Sequence, residues 1–251
     1  MTTDEMTKND AMTSIISTHR LTRTFGSFTA VNAITFDVRE GEIFGFLGAN
    51  GAGKTTALKM LTGLLTPTSG TASVAGFDVG KQPEQVKRRI GYMSQRFSLY
   101  EDLTVRENIR LFGGIYGLKT ADIRAKTAVL LQKLQLAEEA DKLVGSLPLG
   151  WKQKLAFSVA LLHEPKVVFL DEPTSGVDPL TRRQFWELIY EAAAEGVTLM
   201  VTTHYMDEAE YCDRVSIMVD GRIEALDTPR AMKAQFGAED MDEVFRRLAR
   251  G

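Results

Sequence analysis

The chain has 251 residues, 44% hydrophobic and 25% charged, with a formal net charge of −3. That balance supports a buried core and excludes a general electrostatic attraction to nucleic acid or anionic lipid. The single cysteine, Cys212, excludes an internal disulfide, and the three histidines, His19, His163 and His204, lie too far apart for metal-ligand spacing. Residues 1–14 are polar and lack a basic region followed by an apolar one, so they read as a disordered tail rather than a secretory signal. No apolar run approaches the roughly 18–20 residues of a transmembrane helix.

From Ile15 to Val38 the pattern is strand-like on both sides of a turn at Gly26-Ser27. The apolar run Ile43-Phe44-Gly45-Phe46-Leu47 follows. It leads into Gly48-Ala49-Asn50-Gly51-Ala52-Gly53-Lys54-Thr55-Thr56 and then a helical segment. Strand, glycine loop and helix in that order, with the spacing G-x-x-x-x-G-K-T, make a P-loop. Glycines let several backbone N–H groups converge, and the helix N-terminus adds positive potential at the same point. Lys54 can reach the β- and γ-phosphates of a nucleoside triphosphate, and the Thr55 hydroxyl can bind Mg²⁺.

A turn at Thr66–Gly70, a strand over Thr71–Gly76, a short helix over Glu84–Arg89 and a strand over Ile90–Ser94 lead to Gln95. Its amide oxygen could touch Mg²⁺ or a water; alone, such a glutamine reads as a surface residue. Helical periodicity then takes over at Thr104–Tyr116 and Ala121–Leu136, with a capping box expected between Thr104 and Glu107. Residues from about 96 to 163 thus read as a helical insert in an α/β domain. The run Val167–Leu170 is a buried strand ending in Asp171 and Glu172. At the carboxyl end of such a strand, Asp171 can hold Mg²⁺, and Glu172 can orient and polarise an attacking water. A helix over Leu180–Ala194 precedes a second buried strand, Val197–Thr202, which delivers His204 to the same edge. There it could touch a γ-phosphate, although a lone histidine is more often structural. A short helix over Met206–Tyr211, a hairpin turning at Asp220-Gly221, and a helical tail from Pro229 to Arg250 broken at Gly237 complete the chain.

In this order, the P-loop, Gln95, the run Leu170–Asp178 and His204 resemble the nucleotide-binding subunit of ATP-binding cassette (ABC) transporters, across nearly the whole chain. The resemblance implies a P-loop NTPase core with an antiparallel β subdomain and a helical insert, spanning 15–228, with a C-terminal extension over 229–251. It also implies ATP and Mg²⁺ as ligands, with Phe25 stacking on adenine. Lys54, Gln95, Glu172 and His204 would be the catalytic residues, and Thr55, Gln95 and Asp171 would face the metal. Ser175-Gly176-Val177-Asp178 would cross a dimer interface, and Arg96-Phe97-Ser98-Leu99-Tyr100 would contact the membrane partner.

One family motif departs. Where Leu-Ser-Gly-Gly-Gln heads a helix and caps the ATP of the opposite protomer, this chain reads Leu147-Pro148-Leu149-Gly150-Trp151. Pro148 supplies neither a hydroxyl nor an N–H, and Leu149 adds a side chain where glycine allowed close approach. A lost hydrogen bond to a charged group is worth roughly 1.5–3 kcal/mol, so the altered site would run slower or need another phosphate ligand. Trp151 reads first as a core residue and second as a contact to the partner. The variant is similar to bacterial ABC-2-type multidrug efflux ATPases. That implies a second cassette, identical or different, and a separate ABC-2-type permease at the cytoplasmic face of the inner membrane, with no nucleic-acid partner. The alternatives are a soluble ABC ATPase of DNA repair or translation, a non-hydrolysing clamp and, weakest, a P-loop kinase.

Overall fold

The computed structural model describes residues 14–95 and 99–248. The polar tail up to residue 13, the end of the C-terminal extension and Arg96, Phe97 and Ser98 of the expected coupling segment lie outside the described residues. Ser14, grouped above with the tail, is already the first residue of a strand.

Strands β1 (Ser14–Phe25) and β2 (Phe28–Arg39) form an antiparallel pair around the Gly26-Ser27 turn. Strand β3 (Ile43–Leu47) leads into helix α1 (Lys54–Leu61). Strands β4 (Ser69–Val74) and β5 (Phe77–Asp78), helix α2 (Pro83–Lys87) and strand β6 (Ile90–Met93) follow. The insert contributes α3 (Val105–Ile115), α4 (Thr120–Lys133) and α5 (Leu149–Ala160). Strand β7 (Val167–Asp171), helix α6 (Pro179–Ala194) and strand β8 (Thr198–Thr203) restore the α/β pattern. The short helix expected over Met206–Tyr211 is present and is of the 3₁₀ type. Strands β9 (Arg214–Val219) and β10 (Arg222–Asp227) and helices α7 (Pro229–Phe236) and α8 (Met241–Leu248) complete the fold.

The strands form two sheets. One is antiparallel with order β2-β1-β4-β5; the other has order β10-β9-β3-β8-β7-β6 and is parallel from β9 through β6. Residues of β3 alternate between two cores. Phe44 and Phe46 face the antiparallel sheet, where Phe36 stacks on Phe44 with ring centroids 5.6 Å apart. Ile43 and Leu47 face the helical side with Val215, Ile217 and Phe185. Burying each such side chain stabilises the fold by about 1.5–3 kcal/mol. Because both faces are covered, β3, β7 and β8 are buried along their whole length, which is why their sequences are continuous apolar runs.

The insert is pinned where it leaves the core. The Thr104 side chain accepts from the Glu107 N–H and the Glu107 carboxylate accepts from the Thr104 N–H, the capping box expected from the sequence. Fully buried Asn108 accepts from the Tyr100 N–H at 2.8 Å and donates to the carbonyls of Tyr100 and Thr104. This one amide shapes the turn Tyr100–Thr104 that leads into α3.

Candidate active site

The site lies at the carboxyl ends of β3, β7 and β8. Strand β3 is flanked by β8 and β9, both later in the chain, so the loop after it opens at the point where strand order reverses. Two glycines of that loop, Gly48 and Gly53, are sterically required. A Cβ on Gly53, whose φ is +106°, would lie 2.3 Å from the Ala30 carbonyl oxygen, and one on Gly48 would lie 2.4 Å from that of Met218. Lys54 is buried; its Nζ donates to the carbonyls of Gly48 at 2.8 Å and Ala49 at 3.1 Å, and sits 3.4 Å from Glu172 Oε1. Burial pulls the Lys54 pKa below its usual value, and the Glu172 carboxylate opposes that shift.

The carboxylates take up distinct positions. Asp171 Oδ1 accepts from the Thr55 hydroxyl at 3.1 Å and the Thr202 hydroxyl at 2.8 Å. Burial raises its pKa, against the pull of those two hydrogen bonds. A buried, oxygen-rich group whose charge is costly suits a hard divalent cation, so Thr55 and Asp171 fit Mg²⁺. Glu172 is also buried. Its Oε2 accepts from Gln95 Nε2 at 2.9 Å and lies 3.0 Å from His204 Nδ1. Gln95 thus spends its amide nitrogen on Glu172, which leaves its carbonyl oxygen as the atom available to a cation. A cavity of about 250 Å³ opens beside Asn50, Gly51, Lys54, Thr55, Thr56, Gln95 and Glu172. Ala49 enters through its carbonyl, and buried Ala52 packs beneath the loop.

Two contributors, Thr202 and Phe28, lie outside the residues expected from the sequence. Thr202 holds Asp171 through its hydroxyl and receives the Glu172 N–H on both its carbonyl and its hydroxyl. Phe28, rather than Phe25, lines the cavity. Phe25 lies opposite it in the β1–β2 ladder, is 46% exposed and carries the Arg23 guanidinium 4.6 Å above its ring. Aromatic residues on both sides of a two-residue turn were the available signal.

The altered signature lies elsewhere. Pro148 is the N-cap of α5, and its carbonyl accepts from the N–H groups of Trp151 and Lys152. Leu149 is 45% exposed, and its Cδ2 would be 3.7 Å from a Cβ on Gly176. Trp151 is partly buried against the main core, in line with the core reading. Gly150 has an internal reason to be glycine: a Cβ there would lie 2.5 Å from Thr181 Cγ2. Gln153 Nε2 donates to the Ser175 carbonyl at 3.3 Å, and Asp178 caps α6 through the N–H groups of Leu180 and Thr181. Pro148–Trp151 and Gly176–Asp178 line one shallow hollow that shares no residue with the phosphate-loop cavity. The chain therefore brings the P-loop, Asp171 and Glu172 together in one place and Pro148–Trp151 with Gly176–Asp178 in another.

A family model described as ABC transporter matches residues 31–175. The chain belongs to this family. As an ABC cassette it is 48% identical over 240 residues to the "Probable multidrug ABC transporter ATP-binding protein YbhF" of Escherichia coli (strain K12). The match covers 94% of this chain and 42% of that relative's length. It is 41% identical over 223 residues to the "Nod factor export ATP-binding protein I" of Burkholderia orbicola, covering 88% and 73% of the two chains. A solved structure described as the ATP binding subunit of an ABC transporter superposes with a TM-score of 0.84 at 31% identity, covering 94% of this cassette and 99% of that chain. The α/β P-loop fold expected from the sequence is thus the observed one. Among the described residues, no helix is long and apolar enough to cross a membrane.

Proposed function

We propose that the chain is the ATP-binding and ATP-hydrolysing subunit of a bacterial ABC exporter that moves drugs or other hydrophobic compounds. In this reading it sits on the cytoplasmic side of the inner membrane, on a separate ABC-2-type permease, and dimerises with a second cassette when ATP binds. The observation that carries the proposal is the convergence of Gln95, His204 and Lys54 on one buried carboxylate, Glu172, beside the phosphate loop. The export assignment draws on the similarity to relatives named for multidrug transport and Nod factor export.

The chemistry follows from the side chains. The loop N–H groups and Lys54 take the phosphates, and Phe28 with Phe25 offers aromatic surface for the base. Thr55 and Asp171, with Gln95 beside them, would hold Mg²⁺, which when bound offsets the negative charge of the phosphates. Glu172 accepts a proton from the attacking water as its oxygen bonds to the γ-phosphorus. The bond from that phosphorus to the β–γ bridging oxygen breaks and ADP leaves with the electron pair. His204, tied to Glu172 through Nδ1, orients the carboxylate. The separation of the two hollows supports a head-to-tail dimer, in which each ATP would meet the partner's copy of Pro148–Trp151.

The test compares ATP turnover and ATP binding of the native chain with Glu172→Gln. A general base contributes about 10²–10⁴-fold, so turnover falls by that order while binding persists. ATP binding without turnover by the native chain would instead favour the non-hydrolysing clamp, and a native rate retained in Glu172→Gln would exclude Glu172 as the base.

A further inference from the structure

We propose that Glu208 is a positioning residue that locks the loop after β7 to the loop after β8, and that Arg182 transmits the state of the interface loop to it. The inference rests on the reading of Glu172 and His204 as the hydrolytic pair.

Glu208 lies in the 3₁₀ turn Met206–Tyr211 and is completely buried. A buried carboxylate is costly unless it is paired and hydrogen-bonded, and this one is only half satisfied. Its Oε1 accepts from the Thr174 hydroxyl at 2.6 Å and lies 3.6 Å from Arg182 Nε. Its Oε2 and Arg182 Nε are both buried without a hydrogen-bond partner. An unused donor and an unused acceptor therefore belong to two side chains already in contact. With Nε 3.6 Å from Oε1, a shift of about 1 Å brings the guanidinium within hydrogen-bond distance of the carboxylate.

Both arms reach the hydrolytic pair. Thr174 is two residues beyond Glu172. On the other side, the Arg182 guanidinium lies 4.0 Å from the centre of the Tyr205 ring, whose centroid is 4.2 Å from that of His204. Arg182 also reaches Asp207 at 3.5 Å. Thr174, Glu208, Arg182, Tyr205 and His204 thus close a ring of contacts back to Glu172. Arg182 rides on the first turn of α6, which Asp178 of the interface loop caps. Pressure on that loop moves the first turn, brings Arg182 onto Glu208 and fixes His204 against Glu172. Hydrolysis is then matched to engagement of the partner.

The test is steady-state ATP hydrolysis by the full chain carrying Glu208→Gln, Arg182→Gln or both, with Glu172→Gln as the reference. Glu208→Gln keeps size and an acceptor for Thr174 but removes the charge that Arg182 faces. Misplacement of a catalytic group by about 1 Å can cost 10²-fold. Each single variant is therefore expected to lose at least about tenfold in kcat with KM for ATP within about twofold. The double variant should be no slower than the slower single one, because the two residues act as a unit. Native turnover in both singles, a KM that rises in step with the loss, or multiplying losses in the double variant would overturn the proposal. Arg182→Gln decides the matter if Glu208→Gln does not fold. Native turnover by Glu172→Gln would sink the hydrolytic reading instead, so the two failures are distinguishable.

Discussion

Glu172 adopts a left-handed backbone conformation, with φ at +50°. A non-glycine residue there stores of order 1–3 kcal/mol. The Thr202 hydroxyl and carbonyl both receive its N–H and hold it in place. Its neighbour Asp171 carries a different cost, that of a buried charge. Its folded pKa lies above the unfolded 3.8, so its favourable contribution is complete below that value and is lost as pH rises through the folded pKa. Asp171→Asn keeps an acceptor for Thr55 and Thr202. In thermal unfolding without Mg²⁺ it should therefore raise Tm near pH 7, with the gain shrinking as pH falls toward about 4, while Mg²⁺-dependent ATP turnover is lost. The residues that sequence reasoning found are those whose spacing or strand-end position carries the chemistry: the P-loop, Asp171 and Glu172. Thr202 and Glu208 escaped because their roles arise from contacts more than 30 residues away in the chain, and nothing local marks a threonine or a glutamate as a brace.

At the scale of elements, the start of α3 can be tested directly. Thr104 caps it within a reciprocal box, and loss of such a cap costs about 1 kcal/mol. Thr104→Ala should lower stability by about that amount in denaturant titration, with m unchanged; an effect near zero would mean that Asn108 alone sets this turn. The capping box was readable because it spans three residues and uses fixed residue types. Continuous apolar runs revealed β3, β7 and β8 for a related reason: coverage on both faces removes alternation. The short helix Met206–Tyr211 was legible as a helix, but its 3₁₀ form was not, because six residues span fewer than two helical repeats, too few for periodicity to separate the two forms. The pairing of β3 with β8 and β9 had no local signature either, since parallel neighbours arrive from distant parts of the chain.

For the whole molecule, the central observation is that the phosphate-loop cavity and the hollow at Pro148–Trp151 are separate. The signature position Leu149 leans toward Gly176 of the interface loop, and Gly150 is needed for α6 to pack at Thr181. Restoring serine and glycine through Pro148→Ser with Leu149→Gly should therefore leave the fold intact and change only what the partner's nucleotide meets. If the departure limits hydrolysis, turnover in the native dimer rises, by up to the roughly 10- to 100-fold that 1.5–3 kcal/mol represents. An unchanged rate would show that the partner's ATP is held by other groups. In a mixed dimer, only the site facing this chain's signature would respond, so the amplitude in single-turnover hydrolysis reports whether the two sites are alike.

The lysine of the phosphate loop is bonded within its own loop. With Nζ on the carbonyls of Gly48 and Ala49 and close to Glu172, it acts as an internal competitor for the ligand. Phosphate entry is then an exchange, in which each oxygen that draws the ammonium away must outbid two carbonyl dipoles and a carboxylate. A single weakly charged anion gains little by that exchange. A polyphosphate chain gains much more, because several oxygens share one approach. The contacts of Lys54 therefore favour ligands of high charge density at this end of the site.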